Sequence, residues 1–305
     1  MRFITPLVLL TVACLAASRS TPAPTFDGER ALQHVRQLVG IGPRVAGSDG
    51  ARHARAYIRR QLEALGLRVE EQLFDAVTPL GRVSMANVRA FVPGAAPGTR
   101  LIFAGHYDTK RFDDFTFVGA NDGGSSAAFL IELARVLAAR PNAVPIELLF
   151  LDGEEAVVEW VGEDNTYGSR HYVRAARGNG TLKDIGALVL VDMIADRDLS
   201  LKRESNSTPW LTDVIWSAAT SAGRREFVDE ATPLEDDHLR FLEAGVPAVD
   251  IIDLEYPDAS NRYWHTREDT LDKLSAASLQ AVGDVLLRAL PEIEKKLAGS
   301  RPVKQ

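Results

Sequence analysis

Two stretches, residues 146–151 and 187–191, are near-continuously apolar. A strand with one wet face alternates apolar and polar residues, so runs like these belong to strands covered on both faces. Residues 67–74, 85–91, 101–104 and 248–252 also have strand character. Between them the apolar spacing turns helical. Residues 26–39 repeat through Ala31, Val35 and Leu38, and residues 51–66 through Ala54, Ile58, Leu62 and Leu65. Residues 127–139 and 271–297 are the other predicted helices. Strands alternating with helices predict an α/β fold: one domain with a central, mostly parallel mixed sheet flanked by helices on both faces. No internal repeat or linker divides the chain from Phe26 onward, so residues 26–305 form one predicted unit.

The 305 residues carry 42 acidic and 35 basic side chains without long runs of either sign, a net charge of -7. Nothing in this balance resembles a nucleic-acid footprint, and no basic amphipathic stretch argues for binding at a membrane surface. The N-terminus differs from the rest. Met1-Arg2-Phe3 is followed by an almost wholly apolar stretch to Ala17, too short to span a bilayer. Residues 1–20 therefore read as an export signal, with residues 18–25 as a linker. The only cysteine, Cys14, lies inside that signal. Two outcomes stay open: cleavage near Ala16-Ala17-Ser18, or lipidation at Cys14 as the one attachment to a membrane. Both give an exported (periplasmic or secreted) protein with no disulfide framework, expected to be a monomer.

Metal-binding side chains gather where the predicted strands end. His106 and Asp108 follow one strand, Asp152-Gly153-Glu154-Glu155 another, and Asp192 a third. Asp122 stands before a helix, where it could equally be an N-cap, and His265 lies in a polar loop. Imidazoles and carboxylates without thiols suit zinc bound through nitrogen and oxygen. Asp192 ends a buried strand and needs a partner there. Adjacent carboxylates after a strand point apart, so of Glu154 and Glu155 one can hold metal while the other carries protons. His34 and His53 fall in predicted helices, His171 is read as structural, and His238 is read as a group behind the site or near a developing oxyanion. Gly123-Gly124-Ser125-Ser126-Ala127 lacks the second glycine of a serine-hydrolase elbow, which argues against a serine nucleophile.

The ordered set His106-x-Asp108, Asp122, Glu154-Glu155, Asp192 and His265-Thr266-x-x-Asp269 resembles the zinc exopeptidases of the M28 type. Trp160, Tyr167-Gly168-Ser169-Arg170-His171, Glu235-Asp236-Asp237-His238 and Trp264 before His265 bring the chain closest to the glutaminyl-peptide cyclotransferases of that superfamily. The resemblance implies one Zn2+ held by Asp122, Glu155 and His265, with Glu154 as general base and acid and Asp192 and Asp236 hydrogen-bonded behind it. It also implies an aromatic substrate pocket of Trp160, Trp264 and Tyr256, the last standing where the family has a phenylalanine. Asp250 stands where animal cyclases have a histidine, and residues 256–263 make a longer loop than the family's. The implied substrates are peptides or proteins with N-terminal glutamine, converted to pyroglutamate with release of ammonia.

An alternative within the superfamily is a dinuclear zinc aminopeptidase, with His106 and Asp192 holding a second ion bridged by Asp122. Trp160, Trp264 and Asp236 favour the cyclase. A metal-stabilised binding protein is a third reading, against which the free carboxylate of Glu154 argues.

Overall fold

The computed structural model describes residues 24–95 and 99–299. The segment read as an export signal, with Cys14, lies outside the described residues. Asp27 opens helix α1 (Gly28–Ile41) by accepting the Arg30 N–H, and Ser48 opens α2 (Asp49–Ala64) by accepting that of Ala51. Each oxygen satisfies a donor that the first helical turn leaves unpaired. The chain then forms a hairpin of β1 (Arg68–Thr78) and β2 (Gly81–Val92), followed by β3 (Arg100–His106), α3 (Gly124–Ala138) and β4 (Ile146–Leu151). Next come α4 (Tyr167–Gly178), β5 (Ile185–Asp192), β6 (Leu201–Glu204), α5 (Pro209–Ala222) and β7 (Phe227–Thr232). The last elements are α6 (His238–Glu243), β8 (Ala248–Ile252) and α7 (Ala276–Gly299).

The central sheet has six strands in the order β1-β2-β4-β3-β5-β8. β4, β3, β5 and β8 run parallel, while β2 joins them antiparallel and carries β1 at the edge. β6 and β7 pair separately. Alternate residues of the parallel strands point to opposite faces. Leu101, Phe103, Leu148, Phe150, Val189 and Val191 pack into a core with residues of α1, α2, α3, α5 and α7. Ile102, Ala104, Leu149, Leu151, Leu188 and Leu190 pack against Tyr172, Val173 and Ala176 of α4 and Phe241 of α6. Two dry faces are the reason the strand sequences hardly alternate, as the apolar runs predict.

The last predicted helix, residues 271–297, begins later than expected. Leu274 is extended and bridges to Asp196, so α7 starts only at Ala276. α5, β6 and β7 have no counterpart among the elements predicted from sequence.

His34 of α1 gives the fold an acid sensitivity. Its Nδ1 lies 2.6 Å from the Tyr57 hydroxyl in α2. Burial, helped by nearby Arg30, lowers its pKa from 6.5 to about 4. The folded chain thus keeps this ring neutral while the unfolded chain takes a proton first. The stabilisation is complete above pH 6.5 and is lost as pH falls toward 4. It amounts to about 3 kcal/mol at most, reduced by partial exposure. Urea unfolding at pH 7 and pH 4.5 should show a smaller acid loss in His34→Gln than in the parent; equal losses would place the sensitivity elsewhere.

Candidate metal centre and active site

Because β3, β4, β5 and β8 run parallel, their C-terminal ends share one edge of the sheet, where open α/β sheets place their sites. β3 ends on His106 and β5 on Asp192, and the turn after β4 carries Glu154 and Glu155. Asp108 sets that turn. Its Oδ1 accepts the Glu154 N–H at 3.2 Å and its Oδ2 that of Glu155 at 3.3 Å. Gly153 completes the turn at φ +69, where a Cβ would lie 2.6 Å from Met85 Sδ. This backbone lets the two neighbouring glutamates diverge.

Asp122 precedes α3 without capping it, since Gly123 is the N-cap and no side chain bonds there. Its backbone is held from the opposite loop. Asp269 accepts the Asn121 N–H on Oδ1 at 2.8 Å and the Asp122 N–H on Oδ2 at 3.2 Å. The Asp122 carboxylate faces two imidazoles. Oδ1 lies 3.3 Å from His106 Nε2, and Oδ2 lies 3.2 Å from His265 Nε2. His265 Nε2 is also 3.1 Å from Glu155 Oε1, and His106 Nε2 is 3.0 Å from Asp192 Oδ1.

Two sets of metal-type donors therefore share Asp122: Asp122, Glu155 and His265, and His106, Asp122 and Asp192. Within each set the donor atoms lie within 4.8 Å of one another. Asp122 Oδ2 is buried with no hydrogen bond of its own, as expected of an oxygen that faces a cation. Both donor sets are nitrogen and oxygen, the chemistry zinc accepts.

The electrostatics agree with a site built for positive charge. Burial works against charge on Asp122, yet the His106 and His265 contacts outweigh it and hold the carboxyl well below its usual range. Burial also opposes charge on His265, but Glu155 and Asp122 raise its pKa to about 10. His106 is pushed up against the same opposition by Asp192 and Glu154. Glu154 is driven up by burial and by neighbouring Asp236 and Glu155, and Asp236 rises to about 7 through burial and Asp192. His265 (φ +54) and Met193 (φ +48) both adopt left-handed backbone. Strain of this kind in non-glycine residues gathers at functional sites.

Beside the donors lies a cavity of about 370 Å³. Asp122, Glu154, Glu155, Asp192, Asp236 and His265 line it, together with Trp160, Trp264, Leu234 and Glu235. Trp264 stacks on the His265 ring at 4.2 Å. Of the three aromatic residues expected around a pocket, Trp160 and Trp264 line this cavity and Tyr256 does not. Tyr256 is fully buried and absent from the cavity wall. Its hydroxyl donates to Asp269 Oδ1 at 3.0 Å, which places it behind Asp122 rather than against a substrate. His238 is also behind the wall, its Nε2 3.0 Å from Glu204 Oε2 and its Nδ1 3.5 Å from Asp250 Oδ2. His34 and His171 pack against Tyr57 and Phe74, and His53 is exposed, all far from metal chemistry.

Comparison with known proteins agrees with this geometry. The sequence model of Peptidase family M28 matches residues 87–290. Glutaminyl-peptide cyclotransferase of Boiga irregularis is 31% identical over 282 residues, spanning 80% of this chain and 75% of that protein. The chain belongs to the M28 glutaminyl-peptide cyclotransferase family. The crystal structure of Acidobacteriales bacterium glutaminyl cyclase is 41% identical with a TM-score of 0.84, covering 93% of this chain and 100% of that one. A leucine aminopeptidase precursor from Bacteroides thetaiotaomicron VPI-5482 matches with a TM-score of 0.80 and 26% identity over 89% of this chain and 99% of that one. Structures carrying either name thus share this fold. No helix among the described residues is long and apolar enough to cross a membrane.

Within this M28 cyclotransferase domain, the residue least visible in the sequence is Arg44, fully buried in the loop between α1 and α2. Its guanidinium donates to the carbonyls of Tyr107 (2.8 Å), Val118 (2.6 Å), Gly119 (2.8 Å) and Asp122 (3.4 Å). One side chain thereby pins both ends of the loop that leads from His106 to Asp122. No local pattern marks it, because its partners lie 63 to 78 residues away.

Proposed function

We propose that the protein is an exported, zinc-dependent glutaminyl-peptide cyclotransferase, which converts the N-terminal glutamine of peptides or proteins to pyroglutamate and releases ammonia. The observation that carries this reading is the cavity in which Trp160 and Trp264 flank Glu154 and the Asp122, Glu155 and His265 donors. The 41% identity to a glutaminyl cyclase structure supports it further. The basic start and apolar run before Ala17 support export.

Asp122, Glu155 and His265 would hold the zinc. When bound, it would polarise the glutamine γ-carbonyl and keep a coordination position open to it. Glu154 lines the cavity without belonging to that donor set, so its carboxylate is free to move protons. It would take one from the attacking α-amine as the nitrogen–carbon bond forms. It would return that proton to the departing nitrogen as the carbon–nitrogen bond of the amide breaks, and ammonia leaves. Asp192 and Asp236, on the same cavity wall, would share protons with Glu154. The two tryptophans would fold the glutamine chain back toward its own amine, and positioning supplies much of the acceleration in an intramolecular reaction.

The second donor set, His106, Asp122 and Asp192, favours a competing reading as a dinuclear aminopeptidase. Mass spectrometry on two peptides, one beginning with glutamine and one with leucine, separates the two. A glutamine peptide lighter by one ammonia beside an untouched leucine peptide is the expected result. Release of free leucine, with two zinc ions taken up per chain in place of one, would replace the cyclase by the aminopeptidase.

A further inference from the structure

Six carboxylates line the cavity, from Asp122, Glu154, Glu155, Asp192, Glu235 and Asp236, and neither lysine nor arginine does. Five of them are the proposed metal and proton-handling groups. Glu235 is the one left over. It is exposed at the mouth, and its Oε2 accepts the Trp160 indole N–H at 3.3 Å. Among the described residues no cation pairs with it. Its neighbour Trp160 is one of the two aromatic walls. Bound zinc would offset part of the inner charge, but Glu235 belongs to neither donor set and would stay a net negative charge.

We propose that Glu235 is a specificity-determining residue that reads the charge of the residue following the N-terminal glutamine, favouring lysine or arginine there and disfavouring aspartate or glutamate. This rests on the cyclase reading of the site. A glutamine seated between the tryptophans has its α-amine and γ-carbonyl turned toward Glu154 and the proposed metal donors, so the chain continues outward through the cavity mouth, where exposed Glu235 stands beside Trp160. The second side chain then passes a lone carboxylate on its way to solvent. For charges about 5–6 Å apart in water, attraction to a cation and repulsion of an anion differ by about tenfold in low salt. The preference should shrink as ionic strength rises, because an exposed pair is screened.

The test is kcat/KM of the zinc-loaded protein on Gln-Lys-Ala, Gln-Ala-Ala and Gln-Glu-Ala amides, at low and high salt. The expected order is Lys over Ala over Glu, with a Lys-to-Glu ratio of about tenfold that falls in salt. Glu235→Gln should bring the ratio to about one, Glu235→Lys should invert it, and Glu235→Asp should keep its sign. A ratio measured within one enzyme cancels any general loss of activity or folding in a variant. Turnover of Gln-Ala-Ala tests the cyclase reading by itself. A parent enzyme that cyclises it with a Lys-to-Glu ratio near one, or a ratio that survives Glu235→Gln, overturns the role of Glu235 alone.

Discussion

Glu154→Gln should lower kcat on a glutamine peptide by about 10²- to 10⁴-fold, the range general acid–base groups supply. Zinc content and thermal stability should stay at parent values. The separation is expected because the backbone at this position is fixed by groups other than its own side chain. Asp108 accepts the Glu154 N–H at 3.2 Å, and the Glu154 carbonyl accepts the Thr166 N–H at 2.8 Å. Gln keeps the volume and loses only the ability to take and return a proton. The proposed metal donors Asp122, Glu155 and His265 are untouched by the change. Activity, metal analysis and a melting curve on one preparation decide the matter. A folded, zinc-loaded Glu154→Gln with parent kcat would remove this carboxylate from proton transfer. A loss of zinc in step with activity would instead make it a ligand.

Much of this site is legible in the amino-acid sequence, for a physical reason. A metal centre at the end of a parallel sheet draws its donors from the residues that follow buried strands, and such strands announce themselves as apolar runs. His106, Glu155 and Asp192 follow that rule, and Glu154, outside both donor sets, sits in the same turn after β4. What holds those donors does not. Asp108 orients the two glutamates through backbone N–H groups 46 and 47 residues away, and no spacing rule connects them. Tyr256 misleads for a related reason. An aromatic residue near a pocket motif reads as pocket wall, yet its hydroxyl is committed to Asp269, which in turn holds Asp122. α5 differs again, since its boundaries are in the chain: Pro209 sits in its first turn and Gly223 ends it at φ +67. That pairing is a helix signature in its own right. The weak pair β6 and β7 carries no such mark.

Arg44→Met should cost about 3–5 kcal/mol of stability and lower zinc affinity by about 10- to 100-fold. The guanidinium is fully buried, and its pKa is lowered to about 10 by burial against the pull of Asp269, Asp108 and Asp122. Its cost in desolvation is offset by four carbonyl acceptors in the loop from Tyr107 to Asp122. Methionine fills similar volume but leaves those carbonyls without donors in a dry interior, and an unmet buried acceptor costs about 1–3 kcal/mol. The loop ends next to His106 on one side and at Asp122 on the other, so relaxing it moves two donors of the shared centre relative to the rest. Arg44→Lys should recover part of the stability and little of the affinity, because an ammonium cannot reproduce the planar fork that meets Tyr107, Val118 and Gly119 together. Urea unfolding gives the first quantity, and chelator competition well below the melting temperature gives the second. A variant that loses stability yet binds zinc with parent affinity would confine Arg44 to the scaffold. Loss of both would show that the segment before residue 87, outside the matched family region, helps to build the metal centre.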